Sequence, residues 1–109
     1  MPRLSTFAAM GVAAVCEIAG CYTAWMWLRL GRSPWWLGAG VVLLVAFALA
    51  LTRIEAAFAG RAFAAYGGVY VAASLLWAAL VEQRRPDLAD ILGTSLCLAG
   101  AVIILVGRR

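Results

Sequence analysis

The sequence predicts an all-α membrane protein with four transmembrane helices. Three observations carry that prediction. Of 109 residues, 66% are hydrophobic and only 13% are charged, whereas a soluble domain is about half apolar and about a quarter charged. The mean hydropathy is +0.97. The apolar residues fall in four long runs with short charged breaks, and a run of about 18 or more reads as a membrane-crossing helix. A soluble globular enzyme is excluded, and no enzymatic activity is expected. The whole chain, 1–109, is expected to form a single four-helix domain with spans at about 4–28, 35–51, 62–81 and 88–106.

The first run lies between Arg3 and the pair Arg29 and Arg32. It is too long for the apolar part of a signal peptide, carries Glu17 in its middle, and is followed by three more spans. The second run opens on Ser33-Pro34, where Ser can cap free N–H groups and Pro suits the first helical position. It has no ionisable or hydroxyl side chain between Leu37 and Leu51, so it offers a polar substrate only shape. The third run is entered through Gly60-Arg61 and ends before Pro86, which stops a helix. The fourth has Asp87 and Asp90 at its start, where acids cap and complement the helix dipole. Each run is long enough to cross a bilayer core of about 30 Å at 1.5 Å per residue.

Nine basic residues, all Arg, exceed five acidic ones, for a net charge of +4. They sit at the ends of the apolar runs, so phospholipid headgroups rather than nucleic acid are their expected neighbours. Four spans put both termini on one side. That side carries Arg3, Arg53, Arg61, Arg108 and Arg109, and the other carries Arg29, Arg32, Arg84 and Arg85. Five against four gives almost no orientation bias. A fixed orientation and insertion both ways are each compatible with it. The five Trp residues lie toward the side opposite the termini, as an interfacial belt would place them.

The chain has no His, which removes the commonest metal ligand and the usual acid–base group near neutral pH. Cys16 and Cys21 are not at C-x-x-C spacing. Together with Cys97 they read as reduced, small apolar residues. No metal and no cofactor are expected.

Glu17 is the residue that most needs explanation. An ionised side chain at mid-membrane costs about 2.5–3.5 kcal/mol on insertion scales. No Arg inside the spans can neutralise it, so its counter-charge must be a proton or a bound ligand. The alternative is a permanently protonated carboxyl bonded to a neighbour. At helical spacing Glu17 is flanked by Met10, Ala13, Ala14, Gly20, Cys21 and Ala24. Small residues of this kind allow close helix packing, or leave space for a ligand.

The third run carries Phe63, Tyr66, Tyr70, Ser74 and Trp77 at spacings of three or four. Lipid gives their hydroxyls and indole N–H no partner. Such a stripe can hydrogen-bond a carboxyl or present ring faces to a cation. Gly67-Gly68 interrupts it, either as a bend point or, with Ala64, as a close-packing site. Gly93, Cys97 and Gly100 line one side of the fourth run, a spacing that suggests a helix–helix contact between subunits.

Taken together, residues 16–21, Gly60-Arg61, the segment 64–71 (Ala-Ala-Tyr-Gly-Gly-Val-Tyr-Val) and residues 90–100 resemble the YnfA-like family of small bacterial inner-membrane proteins. The resemblance covers nearly the whole chain in order. That family is similar in turn to the small multidrug resistance transporters of the drug/metabolite transporter superfamily. Those are antiparallel dimers of four-helix subunits, in which one Glu on the first helix takes protons and cationic substrate in competition. The resemblance implies a small multidrug resistance-like fold, a multi-pass location in the bacterial inner membrane and an antiparallel homodimer. It implies proton-coupled export of small cationic or hydrophobic cationic compounds by alternating access. Glu17 would be the coupling carboxylate, with Tyr66, Tyr70 and Trp77 lining the cavity. Gly67-Gly68 would be the kink, and Gly93, Cys97 and Gly100 the dimer helix. The aromatic order around the kink departs from the transporter pattern, with Trp77 much later in the helix, and Phe63 stands where the family more often has Tyr. Two alternatives remain open: transport of a lipid-linked or neutral metabolite, and a non-transporting structural or regulatory membrane subunit.

Overall fold

A computed structural model describes residues 4–56 and 58–107, and every regular element among them is α-helix. Arg3, Arg108 and Arg109, three members of the arginine tally, lie outside the described residues. Helix α1 spans Leu4–Leu28, α2 Trp36–Leu51, α3 Ala59–Leu80 and α4 Leu88–Gly107. Hydrocarbon offers no partner to a peptide group, so apolar runs satisfy their backbone internally as helices.

Three helices, of 25, 22 and 20 residues, are long and apolar enough to cross a membrane, and α2 is a shorter apolar helix of 16. At 1.5 Å per residue α2 is about 24 Å long, so the expectation that every run crosses a full core unaided does not hold for α2. It begins one residue later than expected. Residues 33–35 form a turn, with the Leu37 N–H on the Pro34 carbonyl at 3.0 Å. The Ser33 hydroxyl accepts from the Trp35 N–H at 3.2 Å. Ser33 therefore caps this turn, and the helix begins after Trp35 rather than at Pro34. Helix α3 begins at Ala59, three residues before the expected start, and takes Arg61 into its first turn. The Arg61 guanidinium reaches across to the Ile104 carbonyl near the end of α4, where a cation also complements the helix dipole. The start of α4 is as the sequence predicts. Asp87 and Asp90 each accept the other's backbone N–H, at 2.8 and 3.0 Å, a reciprocal cap.

The helices form a row, α2 on α1, α1 on α3 and α3 on α4, within an envelope of 46 × 33 × 20 Å. The core is small. Met10, Ala13 and Ala14 of α1 meet Ile54 and, on α3, Ala62, Ala65 and Tyr66. Large apolar residues point outward: Leu96 is 75% and Ile103 66% exposed. That inversion suits a chain whose surroundings are lipid, where helices associate through small residues rather than by burying large ones.

The two hairpin seams run through glycine. Gly20 and Gly40 face each other between α1 and α2, where a Cβ on Gly40 would collide with the Thr23 hydroxyl and the Gly20 carbonyl. Gly68 lies on α4, where a Cβ would sit 2.5 Å from the Cys97 carbonyl oxygen and 2.8 Å from the Ala101 Cβ.

Candidate functional site

Glu17 and Tyr66 come together near the middle of α1 and one third along α3. The Tyr66 hydroxyl donates to Glu17 Oε1 at 2.6 Å. It is the one hydrogen bond to Glu17 among the described residues, and the carboxyl is half-buried. Tyr66 is 6% exposed. Its ring packs on Phe47 of α2 at 5.8 Å and on Tyr70 at 6.0 Å between centroids. The otherwise featureless α2 thus supplies a wall to the tyrosine that holds the carboxylate.

Trp77 lies further along α3. Its ring meets Tyr22 of α1 edge-on at 5.5 Å. Since Glu17 faces Tyr66 and Tyr22 faces Trp77, α1 and α3 run in the same direction. The indole N–H of Trp77 and the Ser74 hydroxyl are buried without a hydrogen-bond partner among the described residues, as is the Thr94 hydroxyl. The stripe of the third helix therefore divides. Tyr66 is engaged with the carboxylate, Tyr70 packs beside it, and Ser74 and Trp77 carry unanswered polar atoms. Phe63, at the start of the stripe, is exposed.

The face flanking Glu17 is sorted by burial. Met10, Ala13, Ala14 and Gly20 are buried, Ala24 is half-buried and Cys21 is exposed. Gly67 has open space where a side chain would be, Gly68 packs on α4, and α3 is unbroken α-helix through both. Gly93 and Gly100 likewise have nothing within 4 Å of a Cβ position, and the Cys97 side chain is exposed. This side of α4 is open at Gly93 and Gly100 and borders the contact of Cys97 and Ala101 with Gly68 of α3. No group of three potential metal ligands occurs among the described residues.

Two contacts were beyond sequence reasoning. The Thr6 hydroxyl donates to Glu55 Oε1 and accepts the Glu55 N–H, both at 3.2 Å. Arg61 binds the Ile104 carbonyl. The Thr6–Glu55 and Glu17–Tyr66 links both bridge 49 positions. A shared offset is what two parallel segments in one register produce, and it is the only trace such pairs leave in the sequence.

Comparison with known proteins gives one consistent result. The family described as "Uncharacterised BCR, YnfA/UPF0060 family" matches residues 4–109. A UPF0060 membrane protein of Ectopseudomonas mendocina (strain ymp) is 66% identical over 98 residues, covering 90% of this chain and 89% of its own. UPF0060 membrane proteins of Pseudomonas paraeruginosa and Pseudomonas aeruginosa (strain LESB58) are 59% and 58% identical over 98 residues, covering 90% of each chain. No solved structure matches the chain.

Proposed function

The chain belongs to the YnfA/UPF0060 family and is a multi-pass membrane protein; from that premise we propose that it is a proton-coupled transporter. It exports small cationic or hydrophobic cationic compounds across the bacterial inner membrane by alternating access. No bond in the substrate is made or broken.

The Tyr66–Glu17 hydrogen bond, at 2.6 Å, carries this reading. A mid-membrane carboxyl needs a proton or a cation to neutralise it. One hydroxyl donor holds Glu17 in place without neutralising it, and the described residues bring no Arg to it. Proton and cation then compete for the same oxygens. The ring faces of Tyr66 and Tyr70 beside the carboxyl can stabilise a cation that has shed its water.

The functional unit in this proposal is a homodimer. A row of four helices leaves Glu17 half-buried at an open face, and a second copy completes the enclosure. Two Glu17 carboxylates then face one pathway. The near-even arginine tally permits antiparallel copies, with the Gly93, Cys97 and Gly100 side of α4 as the contact. Gly67, with open space beside it, is the point at which α3 can flex.

The test is electrical. Purified protein on a solid-supported membrane is exposed to guanidinium, polyamine and quaternary ammonium cations at several pH values, beside Glu17→Gln. Cation-dependent currents that vanish in the variant are expected. Currents that persist in Glu17→Gln overturn the coupling role, and silence across the panel from folded protein overturns the cationic substrate.

A further inference from the structure

Three hydroxyls in or at the ends of helices are satisfied on their own backbone, whereas those of Ser74 and Thr94 are not. Thr23 donates to the Gly20 carbonyl at 2.6 Å, Thr52 to Leu49 at 2.6 Å and Ser95 to Ile91 at 2.8 Å. Ser74 has the same option one turn back on α3 and does not take it, although its hydroxyl is buried. Trp77 follows three residues later on the same side of the helix, and its indole N–H is also buried and unanswered. Tyr22 packs edge-on to the Trp77 ring. A buried donor left without an acceptor costs about 1–3 kcal/mol. Two on adjacent turns, beside the same α1–α3 face that holds Glu17, call for an acceptor from outside the subunit's own backbone.

We infer that Ser74 and Trp77 form a second subsite, which takes an uncharged hydrogen-bond acceptor on the substrate. The inference rests on the transport reading above and narrows its substrate class. Residues 66 and 74 are eight apart, about 12 Å along the helix axis. The preferred substrate is therefore an elongated cation. Its positive end lies at Glu17, and a carbonyl, amide or ether oxygen about 12 Å away lies at Ser74 and Trp77. The indole N–H donates and cannot accept, so at Trp77 a neutral acceptor is favoured over a second positive charge at the far end. The selectivity is thus for one cationic end and one neutral acceptor end.

Two long-chain trimethylammonium probes, one ending in an amide and one in a methyl group, test this on the full chain in micelles. Wild-type protein is expected to bind the amide-ended probe about tenfold more tightly, the yield of one to two neutral hydrogen bonds. The ratio should fall to about one in a Ser74→Ala, Trp77→Phe variant, where Phe keeps a ring against Tyr22. An equal ratio in both proteins overturns the subsite. A second arm does not depend on Glu17. An N-alkyl acetamide is titrated into Glu17→Gln protein while the five indole N–H resonances are followed by NMR. Selective movement of the Trp77 resonance supports the subsite even if cation binding proves independent of Glu17, in which case the transport reading alone fails. A Trp77 resonance that does not move overturns the subsite.

Discussion

The seams inside the two hairpins and the face between the hairpins are built by different means. Within each hairpin, backbones approach until no side chain fits: Gly20 on Gly40, and Gly68 on Cys97 and Ala101. Between the hairpins, α1 meets α3 through Met10, Ala13 and Ala14 on Ala62 and Ala65, and further along through a hydrogen bond from Tyr66 to Glu17 and a ring edge from Tyr22 to Trp77. Close backbone contact fixes a separation steeply, since one added methyl forces the helices apart. A hydrogen bond and a ring edge can be broken and remade at little cost. Each hairpin is thus expected to move as a unit, with displacement concentrated on the face that carries the carboxylate.

The largest expected effect breaks a seam. Gly68→Val places atoms against the Cys97 carbonyl and should destabilise the protein by about 1–3 kcal/mol, read as earlier unfolding in a denaturing-detergent titration followed by circular dichroism. Gly67→Ala is the matched control, because open space surrounds that position. It should leave stability unchanged or raise it by at most about 1 kcal/mol. Lower transport at unchanged stability in Gly67→Ala would locate the flexing point there.

Tyr66→Phe acts on the other side of the comparison. It keeps the ring between Phe47 and Tyr70 and removes only the donor to Glu17. Interhelical hydrogen bonds in membranes average about 0.6 kcal/mol and reach about 1.7, so a loss near 1 kcal/mol is expected in the same titration. Transport should fall much further than stability. Equal losses in both would make Tyr66 a packing residue only.

The helix ends give smaller effects. Asp87→Ala removes half of the reciprocal cap on α4 and should cost about 0.5–1 kcal/mol. The two hairpins also close their first helices alike. The Arg32 N–H reaches the Met26 carbonyl at 2.9 Å, and the Arg84 N–H reaches Ala78 at 2.8 Å. The residue before each closure is left-handed: Gly31 at φ 70° and Gln83 at φ 56°. Only glycine adopts that region without strain. Gln83→Gly should therefore stabilise by about 0.5–1 kcal/mol, and Gly31→Gln should destabilise by a similar amount.

Much of this was legible in the sequence because the membrane simplifies it. Four apolar runs became four helices, and the acid in the middle of the first run is held by Tyr66 of the third. Met10, Ala13, Ala14 and Gly20 were readable as one face because helical spacing is fixed. Cys21 was read onto the same face and is exposed, since the packed strip on α1 is narrower than the set of residues within one turn of Glu17. Gly40 was not readable, because a glycine in an apolar run gives no sign of which neighbour it meets. Thr6–Glu55 and Arg61–Ile104 depend on register between distant segments, which no local pattern encodes.

The central claim is that proton and cation compete for Glu17. It is tested most directly by adding a guanidinium or quaternary ammonium cation to the purified protein in weakly buffered detergent solution while following pH. Wild-type protein should release protons as the cation binds, up to about one per Glu17, and Glu17→Gln should release none and lose affinity. Cation binding without proton release, or equal binding by Glu17→Gln, would contradict it.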